Sequence, residues 1–448
     1  MKGLKVLMLV VFVLLFSIIN YTVAQNPNTI KTVLTNCVVI DCTGKPPMED
    51  MTVVITGGKI VEIKRGTYDP SPGETTVRVF NLKGGYVLPG LWNVHTHIGD
   101  ILPDPKNILA NDPLPTTLIR AGRNCMDALR RGFIGIRNVG DRDYIDLFWR
   151  DAFDSGVFVS PRIFGCGNEI TATGGHGTEG PFGVVAIEID GPYEMRSAIR
   201  EHKKHGVDWI KIMADELQQD ELEAAVETAH ENGLRIAAHA AEPVSGKAVE
   251  AGVDCIEHGY GLKDETIELM AEKGTFYCPT IVCNLSAEYI AERERKIVEL
   301  GLPQDPVVVE GRTLVAHADE RSPGTALEQR DVLRKAVKAG VKICAGSDSN
   351  PVGEIGLLEI EQLVFSGMTE MQALIAATRN CADLCGVLNK LGTVEEGKLA
   401  DLIVVSGNPL DNISNLRKLE MVFKDGKPVN LEEDEGQTSF WELYFLNE

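Results

Sequence analysis

Gly84-Gly-Tyr-Val-Leu-Pro-Gly-Leu-Trp-Asn-Val-His-Thr-His-Ile-Gly-Asp100 is the stretch from which the rest of this chain can be read. The Pro89-Gly90 turn leads into a short apolar strand, Leu91 to Val94, that ends in His95-Thr96-His97. Side chains alternate along a strand, so His95 and His97 project together and Thr96 points elsewhere. Two imidazoles side by side at a strand's C-terminal end are half of a metal site. A lone His-x-His is equally a core histidine beside a surface one, so the later strands must decide.

Outward from that stretch, apolar strand patterns alternate with helical ones. Strands are predicted at Phe133 to Asn138, Arg162 to Gly165, Trp209 to Met213, Arg235 to His239, Cys255 to His258, Thr275 to Cys278 and Lys342 to Ala345. The segments between most of them are helix-like. Asp220 to Asn232 closes at Gly233 and Glu328 to Ala339 closes at Gly340, each glycine just before a strand. With Leu91 to Val94 the count is eight, which predicts an α/β fold: a TIM (β/α)8 barrel over residues 86–390. A doubly wound open sheet is the alternative, but no Gly-x-Gly-x-x-Gly follows an early strand. Glu354 to Ser366 and Thr369 to Cys385 read as two helices after the last barrel strand.

The flanks differ in texture. Residues 29–85 hold short strands at Val33 to Cys37, Thr52 to Thr56 and Lys59 to Ile63, with Gly57-Gly58 as a hairpin turn. Residues 391–430 repeat that texture at Asp401 to Val405 and Met421 to Phe423. Chain termini usually lie close together, so the two pieces are expected to form one small β-sandwich domain.

A formal net charge of −21 over 448 residues excludes nucleic acid as a partner, because phosphate contacts need clustered Lys and Arg. Lys2 and Lys5 precede an apolar run from Val6 to Ile19, then Thr22-Val23-Ala24. This is the pattern of a secretory signal over residues 1–24, cleaved after Ala24 to give an exported, secreted or periplasmic protein. The run is shorter than the roughly 20 residues of a spanning helix, so no stable membrane span is expected after cleavage. Ten cysteines in an exported chain could pair. Cys255, Cys278 and Cys344 sit in apolar runs and read as small buried hydrophobes, and pairing stays open. The tail, residues 431–448, opens on acidic residues and carries Phe440, Trp441, Tyr444 and Phe445, which suit docking on the body or on the partner subunit of a homo-oligomer.

The strand ends carry the chemistry. Lys211 lies inside Trp-Ile-Lys-Ile-Met, His239 ends Arg-Ile-Ala-Ala-His, His258 ends Cys-Ile-Glu-His, and Asp348 ends Lys-Ile-Cys-Ala-Gly-Ser-Asp. In a barrel these ends meet at one mouth. An ammonium inside an apolar strand and beside metal-binding imidazoles is costly. A neutral, desolvated amine can take up carbon dioxide as a carbamate, whose two oxygens bridge two cations. The plainer reading of Lys211 is a side chain snorkelling to the rim or pairing with Asp208 or Asp215. Asp348 reads as an inward carboxylate after Gly346, against an N-cap in Ser-Asp-Ser-Asn. Imidazole and carboxylate donors suit Zn2+ best, with Mn2+, Co2+ and Fe2+ compatible.

Taken together, Leu-Pro-Gly-Leu-Trp-Asn-Val-His-Thr-His (88–97), Trp-Ile-Lys-Ile-Met (209–213), Ala-Ala-His-Ala (237–240), Ile-Glu-His-Gly (256–259), Ala-Gly-Ser-Asp (345–348) and Gly-Lys-Leu-Ala-Asp-Leu-Ile-Val-Val (397–405) resemble the amidohydrolase superfamily. The resemblance implies that His95, His97 and Asp348 hold one divalent metal ion and His239 and His258 a second. Lys211, as N6-carboxylysine, would bridge them. The lysine-bearing form with Thr173-Gly174-Gly175-His176-Gly177 resembles the Xaa-Pro dipeptidase and metallo-carboxypeptidase branch, related to imidazolonepropionase, and implies that His176 approaches the scissile carbonyl. The chain departs from dipeptidases at Ala241, where those relatives often carry a carboxylate-binding Tyr, and at Ala214-Asp215-Glu216-Leu217, which replaces a glycine-rich loop.

Arg137 is expected in a structural ion pair at the mouth or, alternatively, against a substrate carboxylate. His202, His205, His230 and His317 read as surface residues. The expected enzyme cleaves the amide or peptide bond of a dipeptide or N-acyl amino acid, with Asp348 taking a proton from the attacking water and returning it to the leaving nitrogen. The alternatives are a cyclic-amide hydrolase or deaminase of the same superfamily, and a catalytically inactive metal-binding scaffold.

Overall fold

The computed structural model describes residues 30–70, 76–99, 113–156, 158–178, 185–299, 308–309, 312–313, 318 and 321–431. The expected signal, His317 and the tail beyond Leu431 lie outside them.

The N-terminal strands are β1 (Lys31–Val39), β2 (Met48–Thr56), β3 (Lys59–Arg65), β4 (Val77–Asn81) and β5 (Tyr86–Pro89). Gly57 and Gly58 join β2 to β3 with φ of 58° and 78°, a left-handed pair that glycine adopts without steric cost. The barrel-like region holds β6 (Leu91–Thr96), β7 (Phe133–Asn138), β8 (Arg162–Gly165), β9 (Glu169–Ala172), β10 (Ala186–Ile189), β11 (Trp209–Met213), β12 (Arg235–Ala241), β13 (Cys255–Tyr260) and β14 (Phe276–Cys278). A two-residue pair, β15 (Val308–Val309) with β16 (Arg312–Thr313), precedes the C-terminal strands β17 (Leu402–Val405), β18 (Leu419–Lys424) and β19 (Lys427–Pro428).

β17 pairs antiparallel with β5, so both ends of the chain share one eight-stranded sheet in the order β19-β18-β17-β5-β1-β2-β3, with β4 on β1. Alternation decides what each sheet face covers. Val87, Leu402, Val404 and Phe423 enter the sheet domain's own core with Leu34, Val53 and Ile55. Their neighbours Leu88, Ile403, Val405 and Val422 enter the main core beneath the parallel strands.

β6, β7 and β8 run parallel, as do β11 to β14. Asp208 N donates to Gly165 O at 2.8 Å, joining the two sets. On the far side, Tyr277 N donates to Lys342 O and Cys344 N to Tyr277 O, while Val94 N donates to Ala345 O, each at 2.9 Å. Residues 342–345 therefore lie between β14 and β6 in a TIM-barrel-like arrangement.

The eighth predicted strand is reduced to a single bridge, Tyr277 to Ile343. The chain turns inward immediately after it: a Cβ on Gly346 would collide with Cys278 Sγ and His95 Cβ, and Asp348 N donates to His95 O at 2.9 Å. The predicted helix Thr369 to Cys385 is two, Glu370–Ala376 and Arg379–Leu384. At the break Thr378 Oγ1 donates to Leu374 O at 2.6 Å, and Ala377 O accepts from Trp92 N of β6 instead of continuing the helix. All ten cysteines are buried and unpaired. No helix among the described residues is long and apolar enough to cross a membrane.

Candidate metal centre

β6 delivers two imidazoles whose Nδ1 atoms are already committed. His95 Nδ1 lies 2.7 Å from Glu257 Oε2 and His97 Nδ1 lies 2.7 Å from Gly140 O. A carbonyl only accepts, so His97 Nδ1 carries the proton and Nε2 keeps a lone pair; the carboxylate sets the same tautomer in His95. Both Nε2 atoms then face Asp348 Oδ1, at 3.4 Å and 3.3 Å. Burial pushes the His95 pKa down, more strongly than the Asp348 charge pulls it up. Burial would raise Asp348, but His95, His97 and His258 hold it well below the usual carboxylate range. Lone pairs and an ionised carboxylate thus converge with protonation disfavoured, and a cation relieves the repulsion. The donors of His95, His97 and Asp348 lie within 4.8 Å of one another, and they fit a divalent metal.

β12 and β13 bring the next pair. The His239 and His258 rings are 4.5 Å apart, and His258 is 4.8 Å from His95. His258 Nδ1 lies 2.6 Å from Thr280 Oγ1, which leaves Nε2 for a cation. The pKa values of both are driven well below the ordinary histidine range, by burial first; Lys211 and His176 add to this at His239, and His239 and His95 at His258. These imidazoles are neutral lone-pair donors. Lys211, on β11, is 1% exposed, and its Nζ is 3.9 Å from Glu169 Oε1.

Three residues of this centre have left-handed backbones without being glycine: His258 (φ 62°), Thr280 (φ 45°) and Asp348 (φ 50°). Such conformations cost on the order of 1–3 kcal/mol each and gather where function over-determines the backbone.

Arg137 does not meet the expectation of a substrate contact. It has no exposed surface; its Nη2 donates to Glu257 Oε1 at 2.5 Å, its Nε to Val94 O at 2.7 Å, and the guanidinium lies 4.7 Å from the Trp209 ring centroid. Its role is the ion pair, and through Glu257 it reaches His95. Burial alone would raise the Glu257 pKa, but Arg137 and His95 hold it well below normal. His202 is likewise buried, not at the surface, its two ring nitrogens engaged by Ala198 O and Asn168 O. His205 stacks on Tyr144 at 4.1 Å and His230 pairs with Asp254 at 2.9 Å, both exposed.

His176 stands exposed above the centre with its ring 5.0 Å from His239. The turn that carries it needs its glycines: Gly174 has φ 77° and donates its N–H to Glu188 at 2.7 Å, and a Cβ on Gly175 would collide with Thr171 Oγ1. The two departures from the dipeptidase pattern form one unit, because Asp215 Oδ1 accepts from Ala241 N at 2.7 Å.

Sequence reasoning missed Glu169, Glu257 and Thr280. Glu169 Oε1 lies 3.9 Å from both His97 Nδ1 and Lys211 Nζ. Within Ile-Glu-His the metal pattern singles out the histidine, and Glu257 is signalled only by being a carboxylate inside an apolar strand.

The description of the amidohydrolase family matches residues 86–429. Among solved structures, a Xaa-Pro dipeptidase with bound methionine in the active site is 31% identical, with a TM-score of 0.76 over 89% of this chain and 100% of that one. A prolidase complexed with N-methylphosphonate-L-proline is 27% identical, with a TM-score of 0.75 over 89% and 99%. The ochratoxinase of Aspergillus niger is 28% identical over 386 residues, 76% of this chain and 75% of that one.

Proposed function

The chain belongs to the amidohydrolase family, and from that premise we propose that it is a binuclear metal-dependent hydrolase of the amide bond in a dipeptide or N-acyl amino acid. One observation carries the reading: the two Nε2 lone pairs of His95 and His97 meet the Asp348 carboxylate at 3.4 Å and 3.3 Å, an arrangement that a cation stabilises. The likeness to a dipeptidase and a prolidase supports the amide bond as the target.

His95, His97 and Asp348 would hold one Zn2+, and His239, His258 and Lys211 as N6-carboxylysine the other, with the carbamate shared. When bound, such cations acidify water and polarise a carbonyl oxygen. The chain's own groups do the rest. Glu257 and Gly140 fix the tautomers of His95 and His97, and Thr280 holds the His258 ring at Nδ1. Asp348, held ionised, takes the proton of the attacking water and hands it to the leaving nitrogen. His176 orients the scissile carbonyl from the rim.

The barrel is taken as closed with eight strands over residues 86–390, and residues 29–85 with 391–430 as a composite β-sandwich unit. Residues 1–24 are taken as an export signal cleaved after Ala24, so the enzyme acts in a secreted or periplasmic setting, as a monomer or homo-oligomer.

The test is metal content per chain, measured with turnover of Xaa-Pro dipeptides, N-acyl amino acids and cyclic amides. About two zinc per chain, with one or both lost in Lys211→Ala and with dipeptide or acyl-amino-acid turnover, is the expected result. A single metal kept by Lys211→Ala, with turnover confined to cyclic amides, would refute it.

A further inference from the structure

Cys283 brings a sulfur donor to the edge of this centre. It lies in the one-turn helix Ile281–Asn284 that follows β14, 1% exposed. Its Sγ, one ring nitrogen of His258 and one carboxylate oxygen of Asp348 all lie within 4.8 Å of one another.

Thr280 fixes two of the three donors. Its Oγ1 is 2.6 Å from His258 Nδ1 and 3.5 Å from Cys283 Sγ, and its carbonyl accepts from the same sulfur at 3.0 Å. The turn is anchored from behind by Glu359, which accepts from Ile281 N at 3.0 Å and Val282 N at 2.8 Å, and Arg321 Nε donates to Cys283 O at 3.2 Å. Asp348 is the member that also faces His95 and His97.

A second thiol trio, His95, Glu257 and Cys278, differs in kind. There His95 and Glu257 are already bonded to each other, and Arg137 neutralises the carboxylate. That trio has no surplus of donors to satisfy, whereas the Cys283 trio adds a soft donor to an ionised carboxylate and a neutral imidazole.

We propose that His258, Cys283 and Asp348 form a three-donor site for a thiophilic divalent cation, Cd2+ or Zn2+, sharing Asp348 with the His95 and His97 set. Binding breaks the S–H bond, releases the proton to solvent and forms a sulfur–metal bond, with no change of oxidation state. Thiolate ligation selects soft ions over Mg2+ and Mn2+. A cation at His258 then has two third donors to choose between, the Cys283 thiolate and the Lys211 carbamate. The inference rests on the reading of His258 and Asp348 as metal ligands.

The full chain, stripped of metal by a chelator and reloaded with 113Cd2+, tests it. Expected are an ultraviolet thiolate-to-cadmium charge-transfer band and a 113Cd resonance shifted downfield into the sulfur-ligated range. Both should vanish in Cys283→Ser and survive in Cys278→Ser, with Cd2+ affinity in Cys283→Ser down by at least about tenfold, the lower end for losing even an indirect partner of a ligand. If Cys283→Ser does not fold, survival of both signatures in Cys278→Ser decides for Cys283 over the second thiol trio. Bound Cd2+ without either signature, or with signatures that disappear in Cys278→Ser, overturns the thiolate site and leaves the histidine centre standing. No bound Cd2+ at all overturns both.

Discussion

Replacing Glu257 by glutamine asks whether the buried link behind His95 sets the metal centre. The carboxylate serves two donors that have essentially no exposure: His95 Nδ1 at 2.7 Å and Arg137 Nη2 at 2.5 Å. Glutamine keeps the shape but offers one accepting oxygen and turns an N–H toward the other donor. If the oxygen serves Arg137, His95 is driven toward the tautomer with its proton on Nε2, directed at Asp348. If the oxygen serves His95, the guanidinium keeps Nε to Val94 O but loses its charge partner, and its Nη1 already lacks a hydrogen bond among the described residues. The first outcome costs about 10–100-fold in metal affinity, or roughly 1.4–2.7 kcal/mol. Either way the buried Arg137 charge loses its carboxylate, which costs the metal-free fold about 3–5 kcal/mol, most in the second outcome, where the hydrogen bond is lost as well. Chelator competition for Zn2+ measures the first, and urea unfolding of the metal-free protein measures the second. The double variant Arg137→Met with Glu257→Gln should recover part of the lost stability, because the stranded charge is gone, and part of the lost affinity, because the glutamine oxygen is then free to accept from His95 Nδ1. A Glu257→Gln protein within about 0.5 kcal/mol of the parent in stability, with unchanged Zn2+ affinity, would refute the reasoning.

His176→Asn should lower kcat by about 100-fold or more while leaving metal content unaltered, since the residue is read as acting on the carbonyl from the rim and is placed among no metal donors; loss of metal together with activity would put it among the ligands instead. The metal-free protein should lose stability as pH falls from about 6.5 to about 5. His95, His239 and His258 have folded pKa values below the ordinary one, so their contribution is complete above about 6.5 and is lost as pH drops toward the folded values. Urea midpoints across that range check the sign, and His258→Asn should flatten the slope; a midpoint that rises on acidification would contradict the burial of neutral imidazoles.

Much of the fold was legible because these strands are buried on both faces and so read as continuous apolar runs. Phe133–Asn138, Arg162–Gly165 and Trp209–Met213 have the bounds that the sequence predicts. β9 and β10 were missed because four residues each, with Glu169 and Glu188 among them, carry too short and too polar a pattern. The divided helix after Thr369 escaped for a different reason. Its break is decided by a tertiary bond, Ala377 O accepting from Trp92 N, which no local periodicity encodes.

The centre was legible in its residue types and hidden in its backbone. Strict alternation along β13 would send Glu257 and His258 to opposite sides, so only one of them should reach the interior. Both do. Ala240 pairs with His258 and Ala241 with Tyr260, which leaves Gly259 bulged, and His258 and Gly259 have φ of 62° and 63°. That bulge turns the His258 ring toward His95 while Glu257 stays beneath it on Arg137. Asp348 reaches the same point by the same device, at φ 50° after Gly346. Alternation placed these side chains approximately, but two left-handed turns bring donor atoms of His258 and Asp348 within 4.8 Å of each other. A non-glycine residue at positive φ leaves no mark in a sequence. At His258 and Asp348 the strain is held by the packing around the centre, and the cation proposed for β6, β13 and the 346–348 turn would help to return its cost.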